Sequence, residues 1–319
     1  MSKIPVGRTI SQTYGFAIGW FFPLLGVVWL PFLILGLVGY FYFLPALAAM
    51  TDASQQMVQQ LAQHNPQSAV LAQAHMGQFM GRIYAFNLVT LIVFSVIAVG
   101  ISKEALGLRK GPRFVYLDIG KRELLVMAGF FVVFVLFYVA LVAVGIVGGI
   151  VAAVVFASHT GASGGHLDPV AMGASMVKIV LPVVAIAELI SLYFVARLTY
   201  LMVPVTTAEG HFGVWQSWRM TRGNFWRIVG VAIATLLPLS ILQLGAFAAF
   251  FGPGYFQSLF AAEMHPLAAN PQLSVVMHKM VQYSIYGWVA GFVIAPISYG
   301  LMFGQAAFAY RALTRPAAD

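Results

Sequence analysis

Two ionisable residues, Glu188 and Arg197, stand inside one apolar run of the chain. A charge at bilayer depth costs at least ~2.5–3.5 kcal/mol on insertion scales, so each is a functional candidate. Nine helical residues separate them, which is half a turn out of phase and about 13.5 Å along the axis. They cannot pair on their own helix. The chemistry open to them is a proton or solute relay through a helical bundle, with Asn87, Gln243, Ser298 and Gln305 as further polar groups. The structural alternative has Glu188 in its acid form bonded between helices, while Arg197 stretches its head toward the cytoplasm.

A second group of residue types could bind metal. Histidine and methionine stand together at His75-Met76, Met264-His265 and Met277-His278-Lys279-Met280. Imidazole with thioether suits soft Cu(I). Against copper, no dense Met-x-x-Met array exists, and methionine also packs apolar helix faces. No metal or other cofactor is therefore expected. Enzymatic signatures are scarce. There is no G-x-x-x-x-G-K-[ST] and no H-E-x-x-H, and nine carboxylates in 319 residues leave little material for paired acid–base work. The reading is non-enzymatic.

These residues must be positioned by apolar helices. The chain is 61% hydrophobic and 8% charged, where a soluble domain carries about a quarter charged residues. About 20 helical residues cross a ~30 Å hydrocarbon core, and continuous apolar runs favour helices over an alternating barrel. The runs predict spans near 19–48, 84–101, 123–156, 175–204, 227–251 and 282–310. Between the first two, 52–80 read as two amphipathic helices broken at Asn65-Pro66. The first run is too long for a signal-peptide core, so Ala46-Leu47-Ala48 is expected to stay in the mature protein. The absence of cysteine excludes disulfides, thiolate metal sites and cysteine-linked lipid anchors.

Net charge is +8, but its distribution is that of a membrane protein. Lys3, Arg8, Lys103, Arg109, Lys110, Arg113, Lys121, Arg122, Arg219, Arg222, Arg227, Arg311 and Arg315 lie on one set of loops. Arg82, Lys178 and Lys279 lie on the other. This bias predicts cytoplasmic N- and C-termini in a bacterial inner membrane, and it argues against nucleic acid as a partner.

One phrase is written twice. QTYGFAIGWFFPLLGV (12–27) aligns without a gap to QSWRMTRGNFWRIVGV (216–231), with Gln12/Gln216, Gly19/Gly223, Phe21/Phe225, Gly26/Gly230 and Val27/Val231 identical. A weaker copy, FVYLDIGKRELLVMAGF (114–130), places Gly120 at the same point. The fold class expected is therefore an all-α polytopic membrane protein. It has six transmembrane helices as three parallel helical-hairpin repeats (8–101, 112–204 and 212–311), with short amphipathic interfacial helices. Residues 212–222 read as such a helix on the inner leaflet, with Gly223 turning the chain into the membrane. Trp215, Trp218, Arg219, Arg222 and Arg227 would hold lipid headgroups. Copy one has no arginine at these positions, so its lead-in segment should sit deeper or against protein. Simple anchoring without a ligand explains the same residues. Gly145/Gly149, Gly287/Gly291 and Gly300/Gly304 have small-x-x-x-small spacing, which serves packing inside the bundle or a dimer face.

The segment 197–242 resembles the membrane domain found on some glycerophosphoryl diester phosphodiesterases and in stand-alone bacterial membrane proteins. The matching pattern is a helix ending near Pro204, an acid at Glu209, then Ser217, Thr221, Gly223 and an aromatic-rich helix start. The resemblance implies the fold and the membrane location. The family's chemistry resides in a soluble barrel that these 319 residues do not contain, so no catalytic residue carries over. The expectation is a membrane scaffold or lipid-handling module whose partners are membrane lipids, with a homo-oligomer or a membrane-protein partner left open. The alternatives are a small-solute or proton-coupled transporter using Glu188 and Arg197, and extracytoplasmic copper handling by the His/Met loops.

Overall fold

In lipid every backbone polar group must be satisfied within its own element, which leaves helices as the economical solution for runs this apolar. The computed structural model describes residues 3–47, 49, 67–109, 116–162, 182, 185, 186, 188–251 and 271–314. All regular elements among the described residues are helical. In chain order they are α1 (Val6–Gly19), α2 (Phe21–Val38, continued by a π-helical turn Gly39–Phe43), α3 (Gln67–Ala105), α4 (Lys121–Ala162), α5 (188–199), α6 (Met202–Glu209), α7 (Val214–Met220), α8 (Phe225–Phe251) and α9 (Pro271–Thr314). Six stretches are long and apolar enough to cross a bilayer: Phe21–Leu47, Phe79–Ala105, Lys121–Ile150, Glu188–Glu209, Phe225–Ala246 and Gly287–Thr314.

The spans alternate between inside and outside. The second, fourth and sixth (α3, α5–α6, α9) touch one another at α3, α6 and α9. The first, third and fifth lie around them: α2 against α9 and α3, α4 against α3 and α6, α8 against α9. In an 18-residue apolar stretch of each even span half or slightly more of the residues are buried (50, 50 and 56%), against 33, 6 and 17% in the odd ones. The most hydropathic span, α4, is also the least buried, as expected if its surface faces lipid. Val93, Val96, Ile97, Met202, Val203, Phe303 and Ala307 belong to one continuous buried apolar cluster, so the middle of the bundle is filled.

Two glycines set the close approaches. A Cβ on Gly300 of α9 would lie 2.8 Å from Leu24, and one on Gly100 of α3 would lie 2.6 Å from Val27 and 2.9 Å from the Tyr116 ring. Small residues let helices meet where lipid offers no hydrophobic drive to association. Gly145, Gly148 and Gly149 of α4 face open space. Some hydroxyls within spans are satisfied locally, as Thr90 and Ser95 donate to carbonyls four residues earlier, whereas the buried hydroxyls of Ser102, Tyr200, Thr207 and Ser298 have no partner among the described residues. Thr235 and Gln305 join α8 to α9 through a buried 2.7 Å bond.

The lead-in of the first span is a helix, α1, and it sits against protein as the lack of arginine at the aligned positions predicts, packed on α9 and α8 with Thr9, Thr13, Phe16 and Ala17 buried. Two features depart from the sequence reading. The fourth span is broken into α5 and α6 at Tyr200-Leu201. Pro204, in the first turn of α6, has no N–H, and its ring would clash with the carbonyl of residue 200 in an unbroken helix. From Gln67 onward the amphipathic segment runs without interruption into the second span as one 39-residue helix. The Asn65-Pro66 break lies outside the described residues.

Candidate functional site

The break made by Pro204 frees the Leu201 N–H, and a neighbouring helix takes it up. Ser217 Oγ accepts from Leu201 N at 3.1 Å and donates to the Arg197 carbonyl at 2.9 Å. One hydroxyl therefore fastens α7 to both sides of the discontinuity. Val214, Ser217 and Thr221 recur at helical spacing and are buried. The Thr206 hydroxyl accepts from Gly213 N at 3.1 Å, where a Cβ on Gly213 would collide with Thr206 and the Met202 carbonyl. Gly210 (φ +72°) and Gly223 (φ +79°) adopt the left-handed conformation at the turns that bracket α7.

Arg197 lies beneath this helix. It is 7% exposed, and its guanidinium centre stands 3.7 Å from the Trp218 ring centroid. It donates to Trp218 O (2.8 Å), Tyr193 Oη (2.9 Å) and Thr221 Oγ1 (3.4 Å). No described carboxylate lies within ion-pair distance of it. The cation is held by a carbonyl, two hydroxyls and aromatic faces, each of which offers partial negative charge without a full counter-charge. Phe194 stacks on Trp218 (centroids 5.5 Å, 12°), and Tyr193 meets Phe225 of α8 at 4.7 Å.

Glu209 ties the neighbouring elements together. Its carboxylate accepts from Gln216 Nε2 (2.7 Å) and Tyr310 Oη (2.9 Å), and His211 Nε2 lies 2.7 Å away. The N-terminal strand of chain is pinned to the same end of the bundle. Ile4 N donates to Asn224 Oδ1 (3.1 Å), and Arg227 Nη1 donates to the Ile4 carbonyl (2.9 Å).

A second cationic cluster stands at the same basic end between α3 and α4. Lys103 Nζ reaches Glu123 (2.8 Å), Tyr116 Oη (2.9 Å) and Asp118 (3.1 Å), while Arg109 pairs with Glu104 at 3.3 Å. Glu123 also accepts from Gly120 N at 3.1 Å, the N3-to-N-cap half of a capping box that starts α4. Burial, with the Glu123 carboxylate beside it, pushes the Tyr116 phenol above its ordinary range, so it acts as a neutral donor to Glu123 at 2.7 Å.

The sequence candidates fall into separate groups. Trp215, Arg219 and Arg222 are exposed on the outer face of α7 and its following turn, next to Trp226 at 80% exposed. Trp218 and Arg227 point into protein, because Trp218 caps Arg197 and Arg227 holds Ile4. Arg197 is capped rather than stretched toward water. Glu188 is exposed at the far part of α5 and is not brought to Arg197. His75, Met76, Met277, His278 and Met280 lie on the helical backbones of α3 and α9, and Met264 and His265 lie outside the described residues. One G-x-S-x-G string is present, Gly161-Ala162-Ser163-Gly164-Gly165. Its first two residues end the long helix α4, whereas a nucleophile elbow follows a strand. The positions that define the family resemblance do have visible roles: Pro204 breaks the helix, Ser217 and Thr221 fasten α7, Glu209 joins α6 to α7 and α9, and Gly223 turns the chain. No family model matches the chain, and neither a curated protein nor a solved structure does.

Proposed function

We propose that this chain is a non-enzymatic scaffold or lipid-handling module of the bacterial inner membrane, with its basic end and both termini in the cytoplasm. One observation carries the reading. α7 is bound to the bundle by its polar, buried side, which leaves Trp215, Arg219 and Arg222 outward with Trp226 beside them. Indole rings favour the headgroup level, and arginines favour anionic phosphate. The resemblance to the phosphodiesterase-associated membrane domain supports a membrane role of the same kind. Three parallel hairpins suit it too. Aligned residues of copies one and three share their burial: Thr13 with Ser217 and Val27 with Val231 are fully buried, while Phe22 and Trp226 are 79 and 80% exposed.

Native mass spectrometry of the detergent-extracted protein tests the reading. Each basic residue near an anionic surface contributes about 1 kcal/mol, so Arg219→Ala with Arg222→Ala should weaken retention of phosphatidylglycerol by about 30-fold. Phosphatidylethanolamine should be much less affected. Equal retention of both lipids by the wild type and the double variant would remove the lipid-handling reading.

A further inference from the structure

Residues 3–5 run ahead of α1 as a short non-helical strap, and one side chain of the three is buried. Ile4 is 0% exposed and joins a cluster with Leu201 and Val205 at α6, Ile228 of α8, and Ala309 and Tyr310 of α9. Its backbone is held by two side chains more than 200 residues away: Ile4 N donates to Asn224 Oδ1, and Arg227 Nη1 donates to the Ile4 carbonyl. Lys3 and Pro5 on either side are exposed. Docking the strap gains one buried side chain and two hydrogen bonds, and it costs the ordering of three residues. These contributions are of the same size, so the strap is held close to balance.

The groups that hold the strap suit a different partner better. Arg227 has no described carboxylate within ion-pair distance, and it spends a charged donor on a neutral carbonyl. A phosphate oxygen binds guanidinium roughly twice as strongly as a neutral acceptor and can take two N–H groups at once. Arg227 lies in the first turn of the span that begins at Phe225, which is the headgroup level. Asn224 and Arg227 flank Trp226, and Arg222 stands two residues before Asn224; both of these are exposed. The strap therefore sits beside the outward Trp215, Arg219 and Arg222 surface. Behind it the slot is apolar, apart from one group: Tyr200 packs against the same cluster, and its buried hydroxyl has no partner among the described residues. Ile4 fills the slot without satisfying it.

We propose that Asn224, Arg227 and the Ile4 slot form a binding site for an anionic phospholipid of the adjoining leaflet, and that residues 3–5 occupy it as a stand-in. The Ile4 peptide group takes the place of the polar head, and its side chain takes the place of the apolar part. When the lipid enters, its phosphate replaces the Ile4 carbonyl on Arg227. The upper part of an acyl chain replaces the isoleucine side chain against Leu201, Val205 and Ile228, and the strap moves into water. Both halves of the ligand are needed. Inorganic phosphate would meet the charge of Arg227 but leave the slot empty. Phosphatidylethanolamine would fill the slot but bring a phosphate whose charge its own ammonium offsets. The proposal rests on the lipid-handling reading and adds to it a third arginine and a competitor built into the chain.

The chain contains no cysteine, so a nitroxide on Lys3→Cys reports the strap alone, and the exposed Lys3 can be replaced without touching the slot. In phosphatidylethanolamine nanodiscs the label should be motionally restricted. Added phosphatidylglycerol should bring up a mobile component, and added inorganic phosphate should not. Arg227→Gln should make the spectrum independent of phosphatidylglycerol, whatever its baseline. Native mass spectrometry gives a second readout. Ile4→Ser should retain phosphatidylglycerol about tenfold more tightly than the parent, the factor by which a strap docked roughly nine-tenths of the time masks its site. That gain should persist in the Arg219→Ala, Arg222→Ala background, which separates this site from the outer surface of α7. A label equally restricted at every phosphatidylglycerol content, in a parent that still retains the lipid through Arg219 and Arg222, would overturn the strap proposal and leave the wider reading in place. No preference for phosphatidylglycerol in either readout would remove both. Release by inorganic phosphate alone would overturn the assignment to a lipid.

Discussion

Two cationic sites at the same end of the molecule perform one mechanical task by different electrostatics. At Lys103 the segment leading into α4 is tied to the preceding span by carboxylates: Glu123 and Asp118 surround the ammonium, and Glu104 takes Arg109. At Arg197 the segment leading into α8 is tied to the preceding span by a carbonyl, two hydroxyls and an indole. The first site is neutralised within the protein. The second is not, and the exposed Arg219 and Arg222 beside it add to the unbalanced positive charge. A buried cation at a lead-in segment does not require an acid of its own: Arg197 has none, and the one carboxylate on this segment, Glu209, is occupied with Gln216, Tyr310 and His211.

The sharpest way to break this comparison is to delete one partner at each site. Removing one member of a buried ion pair costs about 3–5 kcal/mol, because the other charge stays buried. Glu123→Ala leaves Lys103, whose side chain is 12% exposed, facing only Tyr116 and the exposed Asp118. We expect the largest loss of thermal stability in detergent from this variant. Arg197→Met removes three hydrogen bonds and also an unneutralised buried charge, so its loss should be smaller, about 1–2 kcal/mol. If the two variants lose equal stability, a described carboxylate makes no difference to how a buried cation is held.

Ser217→Ala sharpens the Arg197 side of the comparison. It orphans a buried Leu201 N–H and the bond to the Arg197 carbonyl, at a cost of about 1–3 kcal/mol. Hydrogen exchange should show α7 protected in the parent and opened in the variant, while α3 and α9 keep their protection. Coincident opening of all three would mean that α7 is not an independently docked element.

Much of this was legible in the sequence, and the rest was hidden for identifiable reasons. Apolar run length placed the six spans, because a bilayer leaves few other options for such runs. The left-handed turn at Gly223 was readable because only glycine adopts it without strain. Gly19 and Gly120 share the sequence position but not the conformation: Gly19 ends α1 and Gly120 caps α4. The contact of Trp218 with Arg197 was not legible, because alternation along the sequence treats Trp218 like Trp215. The buried face of a short helix is set by Val214, Ser217 and Thr221, three or four residues apart, and Trp218 borders that face. The destination of Arg197 could not be read without knowing that Pro204 interrupts the span and brings α7 beneath the break. The Lys103–Glu123 pair joins residues 20 apart across a loop. Its one local signal was the Gly120-to-Glu123 capping spacing.

The smallest expected effect tests whether exposure, rather than the presence of an acid, decides the strength of the Lys103 site. Asp118 contacts the same ammonium as Glu123, at 3.1 against 2.8 Å, but its side chain is 61% exposed where that of Glu123 is 3%. Water screens an exposed pair, and such pairs contribute about 0–1 kcal/mol. Asp118→Asn should therefore shift the unfolding temperature little in low salt and not measurably at high salt, where a ~3 Å screening length removes what remains. Glu123→Ala should keep its full penalty in both conditions, because ions do not reach a buried carboxylate. Equal salt sensitivity of the two variants would show that the cluster behaves as a solvated surface network, and the contrast with Arg197 would then reduce to a difference in side-chain chemistry alone.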